Sequence, residues 1–191
     1  PNPFQRAILE SVAFEQAGHI VVSALAGSGK TSLIVMLANL FLQMGRPTAT
    51  FLAFNVKIRD EMNTRLPLPY RAINSHSLGL SILKTRQPKS RVDFKKWSGI
   101  CKGLLEYRYE RGQVYHKART LEKLCSKVML NNVDPHDLGA VLAIAARYRL
   151  FNGDDPDRVL LEQVAPALRD AERIWQATGA ISFDEMLYLP V

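Results

Sequence analysis

The chain has 191 residues, 47% of them hydrophobic and 23% charged, with a formal net charge of +7. That composition excludes disordered and fibrous classes, and no apolar run reaches the ~18 residues of a membrane span. Two cysteines, Cys101 and Cys125, show neither CxxC spacing nor a matching histidine pair, which favours reduced, partly buried thiols over a disulfide or zinc site. The N-terminus lacks the charged-then-apolar layout of a secretory signal, so an intracellular location without a membrane partner is expected. Charge is unevenly spread: residues 1–85 carry +4, residues 86–150 carry +8, and residues 151–191 carry −5. A basic middle segment points to a polyanion, nucleic acid before membrane, although a solvated basic helical face has the same composition.

In chain order, Asn2-Pro3 reads as an N-cap and first helical residue, with Phe4, Ile8 and Val12 on one face and Gly18 ending the helix. Gln5, exposed on the first turn, carries an amide suited to the N6 and N7 edge of adenine. Ile20-Val21-Val22 reads as a β-strand leading into the small-residue turn Ala24-Leu25-Ala26-Gly27-Ser28-Gly29, after which Lys30-Thr31-Ser32 opens a helix. This is the layout of a phosphate cradle. Glycines let successive N–H groups point at phosphate oxygens, and the helix start adds partial positive charge. Lys30 is expected on the β- and γ-phosphates, and the Thr31 hydroxyl on Mg²⁺. Ala24 departs from the first glycine of G-x-x-x-x-G-K-[ST]. The cradle predicts binding of a nucleoside triphosphate, ATP with Mg²⁺.

Leu33, Leu37, Leu40, Phe41 and Met44 then line a helix closed by Gly45 and Pro47. Thr48 to Phe54 reads as a second core strand, Asn55 as the cap of a short helix, Tyr70 to Ile73 as a further strand, and Ser75 as the cap of the next helix. Strands alternating with helices over residues 1–85 predict a three-layer α/β core.

SALAGSGKTS, LAFNVKIRDEMNTRL and NSHSLG, in this order and at these separations, resemble the opening motifs of the UvrD/Rep-like superfamily 1 DNA helicases. In that family the phosphate turn also tends to begin with Ala, and an upstream glutamine, matched by Gln5, reads adenine. The resemblance implies a P-loop NTPase (RecA-like) parallel sheet with helices on both faces, interrupted by a mostly α-helical insertion. It implies single-stranded DNA contacts at Phe54, Asn55 and Arg59 and at Ser75, His76 and Ser77: a ring near a base, phosphates on Asn55 and Arg59, the strand on His76 and Ser77. Each position has an alternative reading: Phe54 as the last core residue of its strand, Asn55 as a cap alone, His76 as a satisfied turn histidine.

From Gln87-Pro88 the pattern turns helical and basic, with no well-alternating strand between about 86 and 178. The division expected is 1–85 for the first part of the ATP-binding domain, 86–178 for a basic insertion that in the family rides against duplex DNA, and 179–191 for a return towards a Walker B strand beyond residue 191. Lys95, Lys96, Lys102, Arg108 and Arg111 are the phosphate-contact candidates, interleaved with Trp97, Tyr107 and Tyr109, which helical spacing favours as core. Asp134-Pro135 and Asp155-Pro156 are expected to start helices, the second kinked or divided at Pro166. Asp184-Glu185 reads as a surface acidic pair opening a helix, with a Walker B pair as the alternative. The expected function is the N-terminal part of an ATP-dependent helicase moving 3′ to 5′ on single-stranded DNA at duplex junctions and completed by the rest of its polypeptide. Because the Walker B acids and second RecA-like domain are expected later, negligible turnover is expected from these residues alone. The competing class is a non-catalytic nucleic-acid-binding module with a relic nucleotide site; a small-molecule P-loop kinase would leave the basic insertion unexplained.

Overall fold

A computed structural model describes residues 1–14, 18–46, 48–151 and 156–189, and the chain divides into two units, Pro1–Ser75 and His76–Val191. The expected roles of Pro47 in closing a helix and of Asp155 in starting one fall outside the described residues.

In the first unit, α1 (Pro3–Phe14) starts on a capping box. The Asn2 side chain accepts from the Gln5 N–H at 2.8 Å, and the Gln5 side chain accepts from the Asn2 N–H at 2.9 Å. Next come α2 (Lys30–Gln43), β1 (Phe51–Ala53), α3 (Val56–Asn63) and β2 (Ala72–Asn74). Asn55 caps α3 as its sequence context predicts, its side chain accepting from the Ile58 N–H at 2.9 Å. β1 and β2 pair in parallel, Phe51 opposite Ala72 and Ala53 opposite Asn74. Their small core joins Ala38, Phe51, Ala53, Met62, Leu66, Tyr70 and Ala72. Asn63 takes both backbone polar groups of Ala72, donating to its carbonyl at 3.1 Å and accepting from its N–H at 2.8 Å. A side chain therefore occupies the hydrogen bonds that a further strand would use.

The RecA-like parallel sheet with helices on both faces is not what forms. About 61% of the described residues are helical, and the strands make two parallel sheets of two short strands each. Ile20-Val21-Val22 has the β-branched composition of a strand, but among the described residues it pairs with nothing. Its side chains are 43%, 92% and 40% exposed. Propensity stabilises a strand only where a neighbour completes the ladder and a face is covered. The expected strands at 48–54 and 70–73 shrink to three residues each, too short to carry a three-layer core.

The second unit is built from helices α4 (Ser75–Arg86, all but its first residue), α5 (Lys96–Leu105), α6 (Arg111–Leu130), α7 (Leu138–Arg147), α8 (Arg158–Glu162), α9 (Val164–Thr178) and α10 (Glu185–Tyr188). Its main core gathers Trp97, Cys101 and Leu105 of α5, Leu121, Leu124 and Val128 of α6, Val141 and Ala145 of α7, and Val164 and Ala167 of α9. Two two-residue strands, β3 (Arg91–Val92) and β4 (Ala180–Ile181), pair in parallel. A two-residue strand thus lies inside the stretch expected to lack a well-alternating one, and residues 180–181 pair back onto the helical unit. The helical break near Pro166 lies at Gln163, which ends α8 and starts α9. Pro166 itself sits in the first turn of α9, where a missing N–H leaves no helical bond unmade. Among the described residues, no helix is long and apolar enough to cross a membrane.

Asp157 caps α8, accepting from the Leu160 N–H at 3.3 Å. The same carboxylate accepts from the Tyr109 hydroxyl and from Lys117 Nζ, both at 2.6 Å. Burial pushes its pKa up, but the bonds from Lys117, Tyr109 and the Leu160 N–H outweigh this and hold it below its ordinary 3.8. A carboxyl depressed by folding stabilises above its unfolded pKa and loses that contribution as pH falls through the folded value. In urea unfolding, the advantage of the wild-type chain over Asp157→Asn is therefore expected to be constant near neutrality and to shrink below about pH 4. A gap unchanged down to acid pH would contradict the assignment.

Candidate functional site

The turn that follows Ile20-Val21-Val22 places its glycines in the left-handed region. Gly27 and Gly29 adopt φ of 77° and 84°, a region costly for other L-residues. The Ser28 N–H bonds the Leu25 carbonyl at 3.3 Å, and Gly29 leads directly into α2. Lys30 folds back over the turn, its Nζ donating to the carbonyls of Ala24 at 2.8 Å and Leu25 at 2.6 Å. The lysine is thus anchored by bonds to neutral carbonyls that a phosphate oxygen, being charged, would outcompete.

A cavity of about 570 Å³ opens beside this turn, lined by Gln5, Ser28, Gly29 and Lys30 on its polar side and by Phe4, Ile8, Val21 and Leu33 among its apolar walls. Gln5 Nε2 lies 3.0 Å from where a Cβ on Gly29 would stand, a contact the flexible Gln5 side chain could relieve by a small shift, so it is the φ of 84° that calls for glycine there. Gln5 consequently has two roles: its oxygen is committed to the capping box and its Nε2 faces the turn. Ala26 and Gly27 form the outer bend; they and Thr31 and Ser32 do not line the cavity. Thr31 lies half-buried in the first turn of α2, and the Ser32 hydroxyl accepts from Arg65 Nη2 at 3.0 Å.

Of the expected strand contacts in the first unit, Phe54 is 93% exposed immediately after β1, so it is not a core residue. The Asn55 side chain is occupied as a cap, and Arg59 pairs with Asp60 at 2.7 Å. Ser75 is exposed where β2 meets α4.

In the second unit, His76 meets Phe183 edge-on with ring centroids 5.3 Å apart, and Phe183 meets Phe94 at 5.5 Å. Phe94 and Phe183 are 77% and 46% exposed, so the three rings form a row open to solvent. Sequence reasoning missed both phenylalanines. No sequence signal marks them: each Phe lies two residues beyond Val92 or Ile181, which face each other only once β3 and β4 pair. Ser77 is exposed on the first turn of α4.

Among the basic candidates, Lys95, Lys102, Arg108 and Arg111 are exposed. Lys96 is not a phosphate contact. Its side chain is 1% exposed, and Nζ donates to Glu185 Oε1 at 2.5 Å and to the Ala180 carbonyl at 2.8 Å. Glu185 is correspondingly buried rather than part of a surface acidic pair, although Asp184-Glu185 does open a helix, α10. The pair is further tied in by Ser182, whose N–H donates to Glu185 Oε2 and whose hydroxyl accepts from Trp97 Nε1. Trp97 is core, Tyr109 half-buried and Tyr107 exposed. Cys101 and Cys125 are free and fully buried; burial pushes the Cys101 thiol up to about 12 and Cys125 higher than usual as well. Among the described residues, no group of three or more His, Cys, Asp or Glu side chains is placed to hold a metal.

No protein-family model matches the chain, and no curated protein matches it either. Any functional reading therefore stands on the geometry above and on the motif resemblance.

Proposed function

We propose that the chain serves an ATP-dependent DNA helicase of the UvrD/Rep type, with ATP on the turn of residues 24–32 and DNA contacts at Phe54 and along the row His76, Phe183 and Phe94. The observation that carries this reading is the Lys30 amine held over the carbonyls of a two-glycine turn at the opening of α2, beside a cavity with room for a nucleotide. On nucleotide binding, Lys30 would exchange the Ala24 and Leu25 carbonyls for phosphate oxygens, while the first N–H groups of α2 add their partial charge. The apolar walls suit a base, and the Gln5 amide stands at the same cavity.

The residues present accommodate Mg²⁺ only in part. The described lining contains no carboxylate and does not include Thr31, so an ion carried in by the triphosphate would find only neutral oxygens such as that of Ser28 there and water for the remainder. When bound, Mg²⁺ neutralises phosphate charge. Negligible hydrolysis by this chain is the expected result.

Titration of the chain with a fluorescent ATP analogue tests the reading. Lys30→Ala removes charge-assisted bonds worth about 1.5–3 kcal/mol, a weakening of roughly ten- to a hundredfold. Lys30 is exposed, so the variant should fold normally. Equal affinity in the variant, or no binding by the wild-type chain, sinks the nucleotide reading. A second reading, a nucleic-acid-binding module with a relic nucleotide site, is favoured by the unpaired, exposed Ile20-Val21-Val22 behind the turn. It expects DNA affinity indifferent both to ATP and to Lys30→Ala.

A further inference from the structure

Among the described residues of the second unit, six carboxylates are buried or half-buried: Asp93, Glu122, Asp157, Asp170, Asp184 and Glu185. Three of them are paired, Asp157 with Lys117, Asp170 with Arg173 and Glu185 with Lys96. The other three have no cation, and all three line the same crevice of about 170 Å³. The Glu122 and Asp184 side chains make no hydrogen bond or ion pair among the described residues, and that of Asp93 accepts only from the Lys95 N–H, at 2.8 Å. Lys96 feels the charge of Asp93 but is already committed to Glu185 and the Ala180 carbonyl. Half-buried charges of one sign gathered at one crevice are costly unless an opposite charge joins them.

The other walls suit the same guest. Phe94, Trp97 and Phe183 line the crevice with the three acids, and Phe94 and Phe183 are 77% and 46% exposed. The face of an aromatic ring is the negative side of its quadrupole and attracts cations. Two different kinds of group thus call for positive charge, and size and spacing narrow its form. The carboxylates do not converge closely enough to hold a metal ion. At about 170 Å³ the crevice is smaller than the roughly 300–1,000 Å³ of a site for a whole small molecule, which leaves the end of a single side chain. A planar guanidinium stacks on a ring while its edge donates to carboxylates, and a compact ammonium does not match that geometry.

We propose that this crevice anchors an arginine side chain of a partner polypeptide. Its guanidinium donates to Glu122 and Asp184 and stacks on Phe94 or Phe183. Asp93, which also borders the groove along α5, adds negative charge. An arginine seated in such a pocket is a frequent centre of binding energy between proteins. The inference does not rest on the ATP site. It shares Phe94 and Phe183 with the proposed DNA contact, so partner and DNA would compete for these rings.

Nuclear magnetic resonance of the intact chain, titrated with the capped tripeptide Gly-Arg-Gly, tests it. The Trp97 indole and the Phe94 and Phe183 rings are expected to shift saturably. The same tripeptide with citrulline, which keeps the shape and lacks the charge, leaves them unmoved. Glu122→Gln and Asp184→Asn are each expected to weaken binding about threefold and together about tenfold, as partly exposed charge contacts do. Neither substitution breaks a bond, since the Asp184 side chain does not cap α10, so the melting of the double variant stays that of wild type. Glu106→Gln, at an exposed carboxylate outside the crevice, leaves the affinity unchanged. Undiminished affinity in the double variant, or equal binding of the citrulline peptide, overturns the site. Equal affinity for capped Gly-Lys-Gly overturns the choice of guanidinium. Tighter binding of free L-arginine than of the peptide overturns the partner polypeptide in favour of an amino acid. A wild-type chain whose Trp97 resonance never saturates overturns the proposal outright, and leaves the ATP reading standing.

Discussion

Replacing Glu185 with alanine is expected to destabilise the second unit by roughly 3–5 kcal/mol. The variant leaves Lys96 Nζ with the Ala180 carbonyl alone, in a site where its side chain is 1% exposed, and removes the acceptor of the Ser182 N–H. Burial already holds the Lys96 pKa below its ordinary 10.5, with the charge and hydrogen bond of Glu185 pulling the other way. Without Glu185 the lowering influence of burial, the largest, is opposed only by the charge of Asp93, the smallest, and the native state sheds the proton more easily than the unfolded chain. An unfolded state that binds more protons means stability rising with pH. The deficit of Glu185→Ala should therefore narrow as pH climbs towards 10.5. Trp97 and Trp175, both buried in this unit, report the transition by fluorescence in urea. The double variant Lys96→Met with Glu185→Leu, which removes both charges and restores apolar volume, is expected to regain most of the loss. A single variant within about 1 kcal/mol of wild type would mean that the buried charge finds water or another partner.

Gly79→Ala should be nearly as damaging, by about 3 kcal/mol. A Cβ built on Gly79 stands 1.8 Å from the Met186 carbonyl oxygen and 2.8 Å from its carbon. The obstacle is backbone, so no rotamer change relieves it, and α4 must separate from α10. That separation opens the cluster of Leu83, Trp175, Ile181 and Met186. Gly79→Ser fails for the same reason, whereas Gly99→Ala on α5, where nothing lies within 4 Å, should be neutral or slightly stabilising through helix propensity. Equal melting temperatures for Gly79→Ala and wild type would show that the two helices do not approach this closely in solution.

What could be read from the sequence was what is decided locally. The Asn2 cap, the Asn55 cap and the glycine turn before Lys30 each depend on a few neighbouring residues, whereas the return bond from Gln5 to Asn2 appeared only in the structure. Whether Ile20-Val21-Val22 becomes a strand depends instead on a ladder partner, which composition does not reveal. Lys95 and Lys96 are chemically alike and adjacent, yet one is in solvent and the other is sealed against a glutamate 89 positions away. Only tertiary packing separates them. The same holds for Asp184-Glu185, where helix phase turns one carboxylate inward. Phe94 and Phe183 went unnoticed because their meaning lies in a pairing of two distant two-residue strands.

The Asn63 clamp on Ala72 bears on how the first unit behaves at high concentration. A small sheet ordinarily invites a stray strand from a second molecule to zip alongside it. With an amide plugging Ala72, recruitment at that residue would have to break two existing bonds before making any. Unwanted association through β2 is thereby discouraged by a single uncharged side chain, and Asn63→Ala would remove that guard while leaving the fold's apolar contacts intact.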